Sequence, residues 1–411
     1  MRHYIKKKLL YLLFLAFVVR MIFSLLPAFE YDQNAFRFWS IRLAELGPAQ
    51  FYSQQVFTDN PVGFLYILWA IGSIKTNFLS HSFFFQRNQH YDLLLKLPAN
   101  IADLASAVLI YLMIKRKLNE RWALLGFTLY AFNPAIIFES AIFGQYNGIA
   151  VFFLLLSAYS ILVKRAPEIT SCFVAIALTL KPQTIAFIPV IGILIILKTK
   201  PLQWFRSFFI FLATLLLIYF PFFPTNPLFG LFYVNQKAAS LFNCTSCFAF
   251  NFWGIFGNWQ NDLQTFFMIP YAYWGMIFLF VILIPILFFK PFSLKFEPPY
   301  FYLTAAITIM AFFMLLTRVH ERYLFLFFPF LLLAAIMLKS KKLIILYIFM
   351  SGLYLLNVYI PYAYYNNHLK ITNLPVNYLI DNFKIFSLIS FLSFTLFFIF
   401  YINYVKHNQN T

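Results

Sequence analysis

Apolar runs of about 18–24 residues, each long enough to cross a hydrocarbon core of ~30 Å as a helix, recur along the whole chain. Short basic or aromatic-polar interruptions separate them. The pattern predicts an all-α polytopic membrane protein. Arg2-His3-Tyr4-Ile5-Lys6-Lys7-Lys8 and the apolar run to Pro27 resemble a signal peptide, but no small-residue cleavage site follows. The expectation is a retained first helix with its N-terminus inside. Residues 28–95 are mixed and hold two amphipathic pieces, 33–46 and 61–74, each opened by a helix-start signal. Counting the second as a span would put Lys115-Arg116-Lys117 outside, so both are expected as interfacial helices in one long first outer loop.

The later spans then alternate: 98–114, 122–143, 148–163, 208–223, 266–289, 300–316, 324–337, 343–360 and 386–404. The apolar run 170–197 would be ~42 Å long as a helix, too long for one upright span. Lys181-Pro182-Gln183 interrupts it, and proline breaks a helix, so two short half-spans meeting at a polar tip are expected. This gives about twelve spans, two of them half-spans, in a single integral membrane domain over 1–411. Residues 1–335 carry the polar motifs, and 336–411 add C-terminal spans.

Composition supports the class. The chain is 62% hydrophobic, 22% aromatic and 11% charged, against about 25% charged in soluble domains. The net charge of +18 does not point to nucleic acid, because the basic residues form short clusters between apolar runs rather than one contiguous surface. On this topology 19 of the 31 Lys and Arg lie inside, as cytoplasmic loops require. Cys172 reads as a small hydrophobe within an apolar run. Cys244 and Cys247 form a CxxC on an outer loop; they can close a local disulfide, whereas zinc would need a second ligand pair.

Four separated polar motifs reach the outer side on this topology: Asp32, Gly144-Gln145-Tyr146-Asn147, Lys181-Pro182-Gln183 and Val319-His320-Glu321-Arg322. Polar and ionisable groups at membrane depth are costly unless they line a polar cavity, so they are functional candidates. Each also has a plain structural reading. Asp32 can cap the following helix, Lys181 can snorkel to the surface, and Gln145-Tyr146-Asn147 can be an ordinary turn. Their convergence on one side favours chemistry.

In order and spacing these motifs resemble the GT-C superfamily of polytopic glycosyltransferases. The likeness extends to Asp59-Asn60-Pro61, Lys96-Leu97-Pro98-Ala99-Asn100-Ile101-Ala102-Asp103-Leu104 and Asn133-Pro134-Ala135, and covers roughly residues 10–335. The nearest resemblance is to the dolichyl-phosphate-glucose-dependent glucosyltransferases of N-glycan assembly and to prokaryotic proteins related to the second GPI mannosyltransferase. Many relatives carry an acidic residue where Asn147 stands and a double proline near Pro61. The resemblance implies transfer of mannose or glucose, with inversion, from a polyprenyl-phosphate hexose to a lipid-linked or envelope glycan acceptor. Asp32 would be the general base. Lys181, His320 and Arg322, with Glu321, Gln145, Tyr146, Asn147 and Gln183, would bind substrate and lipid phosphate.

The expected partners are therefore donor, acceptor and bilayer, not nucleic acid. No cofactor is expected beyond the lipid-phosphate substrate, and a divalent metal stays open. The site would face the non-cytoplasmic side of a plasma membrane or of the endoplasmic reticulum. A transporter or flippase is the alternative, but the break at Lys181-Pro182 has no partner in the second half. An envelope polysaccharide ligase or polymerase is another, but those depend on a large outer loop late in the chain.

Overall fold

Helices account for nearly every apolar run in the computed structural model, which describes residues 2–53, 56, 58, 60–78, 89–287, 297–366 and 376–407. In chain order they are α1 (Arg2–Ser24), α2 (Glu30–Leu46), α3 (Val62–Phe78), α4 (Gln89–Lys117), α5 (Glu120–Ala131), α6 (Asn147–Tyr159), α7 (Pro167–Leu180) and α8 (Ile188–Lys198). There follow α9 (Pro201–Tyr219), α10 (Pro227–Ser240), α11 (Tyr271–Leu287), α12 (Pro298–Leu315), α13 (Phe327–Met337), α14 (Lys341–Tyr365) and α15 (Phe383–His407). The protein is an all-α polytopic membrane protein. Among the described residues six helices are long and apolar enough to cross a bilayer, or seven if α5 and the following segment Pro134–Phe143 count as one broken span.

The expected apolar segments fall largely on helices, with differences at the edges. The segment expected from residue 98 starts as a helix at Gln89, with Pro98 inside it. The segment 122–143 is interrupted before Pro134, where Asn133 accepts the Ala135 N–H at 2.9 Å in place of the lost helical bond. The loop after 223 carries α10, started by Asn226, whose side chain accepts from the Phe229 N–H, and by Pro227 in the first turn. Asp59 lies outside the described residues, as do Lys290 and Lys295 after the expected span 266–289 and residues 367–375 after the expected span 343–360.

The chain forms two compact units. The first comprises Met1–Leu109, Ile136–Thr184 and Thr199–Leu241. The two expected interfacial pieces form α2 and α3, which pack on each other over Phe36, Trp39, Phe64, Leu65 and Leu68. α7 packs on α6 and α9.

Among the described residues, two buried ion pairs fasten this unit. Arg20 of α1 and Asp103 of α4, both fully buried, meet at 2.9 Å. Arg37 of α2 clasps the Asp92 carboxylate with Nε at 2.8 Å and Nη2 at 2.6 Å, a two-pronged geometry that suits guanidinium. Lys96, also fully buried, donates to the backbone carbonyls of Ser24 at 3.0 Å and Leu26 at 2.7 Å. A cation there satisfies carbonyls left open at the end of α1.

The second unit comprises Ile110–Ala135, Ile185–Lys198 and Phe242–Thr411. Residues Phe327–Ile336 of α13 are all buried, with α12 and α14 packed against the helix. A helix that is apolar all round belongs in such a centre. Cys244 and Cys247 are joined by a disulfide.

Candidate active site

α2 begins at Glu30, and its N-cap is Phe29, which makes no side-chain cap bond. Asp32 therefore lies within the first turn and is not the cap. A carboxylate in that turn is favoured by the helix dipole, and Asp32 stays half-exposed. The start of α2 is pinned to another part of the unit by the Phe29 N–H, which donates to the Phe143 carbonyl at 2.9 Å.

Residues Phe138–Phe143 form a π-helix that ends at Gly144. Gly144 sits at φ +87°, and a Cβ there would also press on the Gln33 side chain at 3.0 Å, so glycine is required. The turn then places Gln145 and Tyr146 in buried positions before α6, and the buried Asn147 opens that helix. Across from it, α7 ends at Leu180, Lys181 adopts an extended conformation, and a 3-10 turn runs over Pro182–Phe187. Proline cannot continue the α-helix at this point, so the break foreseen at Lys181-Pro182-Gln183 is present.

These segments meet through a directed set of hydrogen bonds. The Gln145 Nε2 donates to Asp32 Oδ2, and the Gln145 Oε1 accepts from Lys181 Nζ at 3.3 Å. Lysine has only donors, which orients the amide: its oxygen must face Lys181, leaving its nitrogen for the carboxylate. The ammonium also lies 3.6 Å from the centre of the Tyr146 ring, a cation–π contact. That ring stacks on Phe64 at 3.4 Å between centroids, and its hydroxyl donates to Asn60. Beside this, Asn147 Nδ2 donates to Glu139, and Gln183 Nε2 donates to Asn147 Oδ1 at 3.5 Å. A half-exposed carboxylate, a buried cation and oriented amides can bind a polar anionic substrate and accept a proton.

Asp32, Gln145, Tyr146, Asn147, Lys181 and Gln183 are thus brought together within the first unit. His320, Glu321 and Arg322 belong to the second. There the buried Glu321 carboxylate lies 3.5 Å from Arg322 Nη1 and 3.9 Å from His320 Nδ1. The His320 ring packs beside Phe242, Trp259 and Tyr323. The preceding residues are splinted from both sides. Buried Asp262 accepts from Arg318 Nε at 2.7 Å and Thr317 Oγ1 at 2.9 Å. The disulfide turn accepts the Arg318 N–H at Cys244 O (2.8 Å) and donates its Cys247 N–H to Val319 O (3.0 Å).

Glu139 is the site residue that sequence reasoning passed over. Its signal was available, as an ionisable residue inside an apolar run is a functional candidate. The tie from Lys96, Asn100 and Asp103 to the end of α1 was also missed, although that stretch figured among the motifs.

Residues 82–226 match the family model described as dolichyl-phosphate-mannose-protein mannosyltransferase, a GT-C type glycosyltransferase domain. The resemblance to GT-C glycosyltransferases stands for this stretch, which contains the Glu139, Gln145–Asn147 and Lys181–Gln183 parts of the cluster. No curated protein matches the chain.

Proposed function

We propose that the protein is an inverting hexosyltransferase that takes mannose or glucose from a polyprenyl phosphate and gives it to a lipid-linked or envelope glycan acceptor. The observation that carries the reading is the Asp32–Gln145–Lys181 relay: a reachable carboxylate and a buried cation joined by one oriented amide. Asp32 takes the proton from the acceptor hydroxyl as that oxygen attacks the anomeric carbon. The bond from that carbon to the phosphate oxygen breaks, and the lipid phosphate leaves with the electron pair. A phosphate leaves without a general acid, but its growing charge needs a cation. Lys181 supplies one. The reading includes twelve spans, counting α1, α7, α8, α11 and α13 with the longer helices, and a site on the non-cytoplasmic face of the plasma membrane or endoplasmic reticulum.

The test is transfer by the full chain in nanodiscs, given radiolabelled polyprenyl-phosphate glucose or mannose and total membrane lipid. Label is expected to move from one donor to a lipid or glycan acceptor. No movement from any donor would remove the transferase reading. In the second unit, His320 and Arg322 are assigned to use of the lipid-phosphate donor. His320→Ala or Arg322→Ala is expected to lower donor affinity by roughly tenfold, the weight of a charge-assisted hydrogen bond of about 1.5–3 kcal/mol at its lower end. Unchanged donor affinity and rate in both variants would take these residues out of that role.

A further inference from the structure

α10 is inside out for a helix in water. Leu228, Phe229, Phe232 and Tyr233 are all exposed, Phe232 by 66%. At that spacing they share one face over the first two turns. Further along, the exposed side ends in Gln236 and Ser240. Asn235 and Lys237 turn the other way, toward the protein. The Asn235 Nδ2 donates to the Tyr219 hydroxyl at 3.2 Å, and the Lys237 Nζ donates to the Val56 carbonyl at 3.0 Å.

A helix on a water-facing surface buries its apolar stripe and sends lysine outward. The reverse arrangement fits hydrocarbon outside. With 14 residues, α10 is ~21 Å long, too short to cross a core of ~30 Å. Its level is set by α9, which is long and apolar enough to span and exposes Phe205, Phe208, Phe209 and Leu217. That surface meets lipid. Only residues 220–226 separate the two helices. Phe223 among them packs on Phe229 and Tyr233, and a Cβ at Gly230 would strike its ring. The aromatic face of α10 therefore continues the lipid-facing surface of α9 at its Tyr219 end, where hydrocarbon gives way to headgroups.

The same helix reaches the candidate site. Val56, which accepts from Lys237, lies four residues before Asn60. Asn60 accepts the Tyr146 hydroxyl, and the Tyr146 ring lies against the Lys181 ammonium at 3.6 Å. One hydrogen bond thus joins α10 to the segment that holds the cation's neighbour.

We propose that α10 is an interfacial helix whose Leu228–Tyr233 face is seated in the boundary of the bilayer, and that Lys237 is a positioning residue that holds the site at the height of that boundary. The docking half stands on α10 itself. The positioning half rests on the hexosyltransferase reading and deepens it. The phosphate of a bilayer-borne donor lies at headgroup level, and α10 keeps Lys181 at that level.

Docking is tested with an environment-sensitive dye on Phe232→Cys, in the full chain carrying Cys172→Ser, in nanodiscs. Cys172 is the free cysteine among the described residues. The same dye on Leu217→Cys is the standard for lipid contact. At both positions, quenching by phospholipid with a nitroxide near its headgroup is expected, with iodide quenching severalfold below that of free dye. Iodide quenching at position 232 equal to that of free dye, with no quenching from lipid, would overturn the docking half.

Positioning is tested by the KM for a long-chain polyprenyl-phosphate hexose in the bilayer and for a short-chain, water-soluble one. Lys237→Met keeps the aliphatic stem and is expected to raise the long-chain KM roughly fivefold, the weight of one hydrogen bond. The short-chain KM is expected to stay as in wild type, because that donor finds its own height. Lys237→Arg, which keeps a donor, is expected to restore the long-chain KM. Equal losses for the two donors, or none, would overturn the positioning half. No transfer by wild type from either donor would remove the transferase reading and the positioning half with it, while the dye still decides the docking half.

Discussion

Asp32→Asn is expected to insert and fold as wild type does while losing sugar transfer by roughly 10²–10⁴-fold, the contribution of a positioned general base. Asparagine has the same shape, but it cannot take a proton from an acceptor hydroxyl. Removing a negative charge from the first turn of α2 costs only about 0.3–1 kcal/mol, too little to unfold the unit. Donor affinity is expected to change little, because Lys181 and Gln145 remain in place. Glu30→Gln is the matched control, since Glu30 lies in the same turn and loses the same helix-dipole contribution. Its turnover is expected to stay within about threefold of wild type, because Gln keeps the shape of the half-exposed Glu30 and the lost helix-dipole contribution is about 0.3–1 kcal/mol. Initial rates at saturating donor distinguish the two. Turnover of Asp32→Asn close to wild type would remove Asp32 from the role of base.

The largest effect on stability is expected from Asp103→Asn. The substitution leaves the Arg20 guanidinium fully buried without the carboxylate that now sits 2.9 Å from it. Breaking such a pair by removing one partner costs about 3–5 kcal/mol. The consequence reaches the site. Arg20 also contacts Asn100 Oδ1, Asn100 donates to Ser24 Oγ, and Lys96 holds the Ser24 and Leu26 carbonyls. Loosening α1 from α4 therefore frees the short link that leads into Asp32. A lowered Tm in detergent and a reduced transfer rate are both expected. Arg20→Met combined with Asp103→Leu removes both charges and is expected to recover most of the stability, as buried pairs replaced by apolar residues often do. Equal Tm values for wild type and Asp103→Asn would show that the pair contributes nothing.

Much of this was legible in the sequence because membrane helices announce themselves by composition. Asp32, Gln145 and Lys181 stood out as polar interruptions between apolar runs, and the Lys181-Pro182 break followed from the chemistry of proline. Other features depend on the packing of segments distant in sequence. Nothing local says that Arg20 finds Asp103, or that Lys96 reaches the end of α1. Glu139 was hidden inside an apolar run, and its bond from Asn147 follows only once the two segments are seen together. α10 escaped notice although Asn226-Pro227 is an ordinary helix start. Close approach is equally invisible in one dimension. At Gly148 a Cβ would collide with the Asp103 carboxylate and press on the Ala99 carbonyl, so this glycine marks where α6 meets α4.

The central claim is that Asp32 activates an acceptor hydroxyl for direct displacement of a lipid phosphate. Single-turnover transfer from a polyprenyl-phosphate hexose of known anomeric configuration, run side by side on wild type and Asp32→Asn with the product anomer assigned by NMR, addresses it most directly. The account predicts the inverted anomer from wild type and essentially none from the variant. A retained anomer, or equal rates from the two proteins, would contradict it.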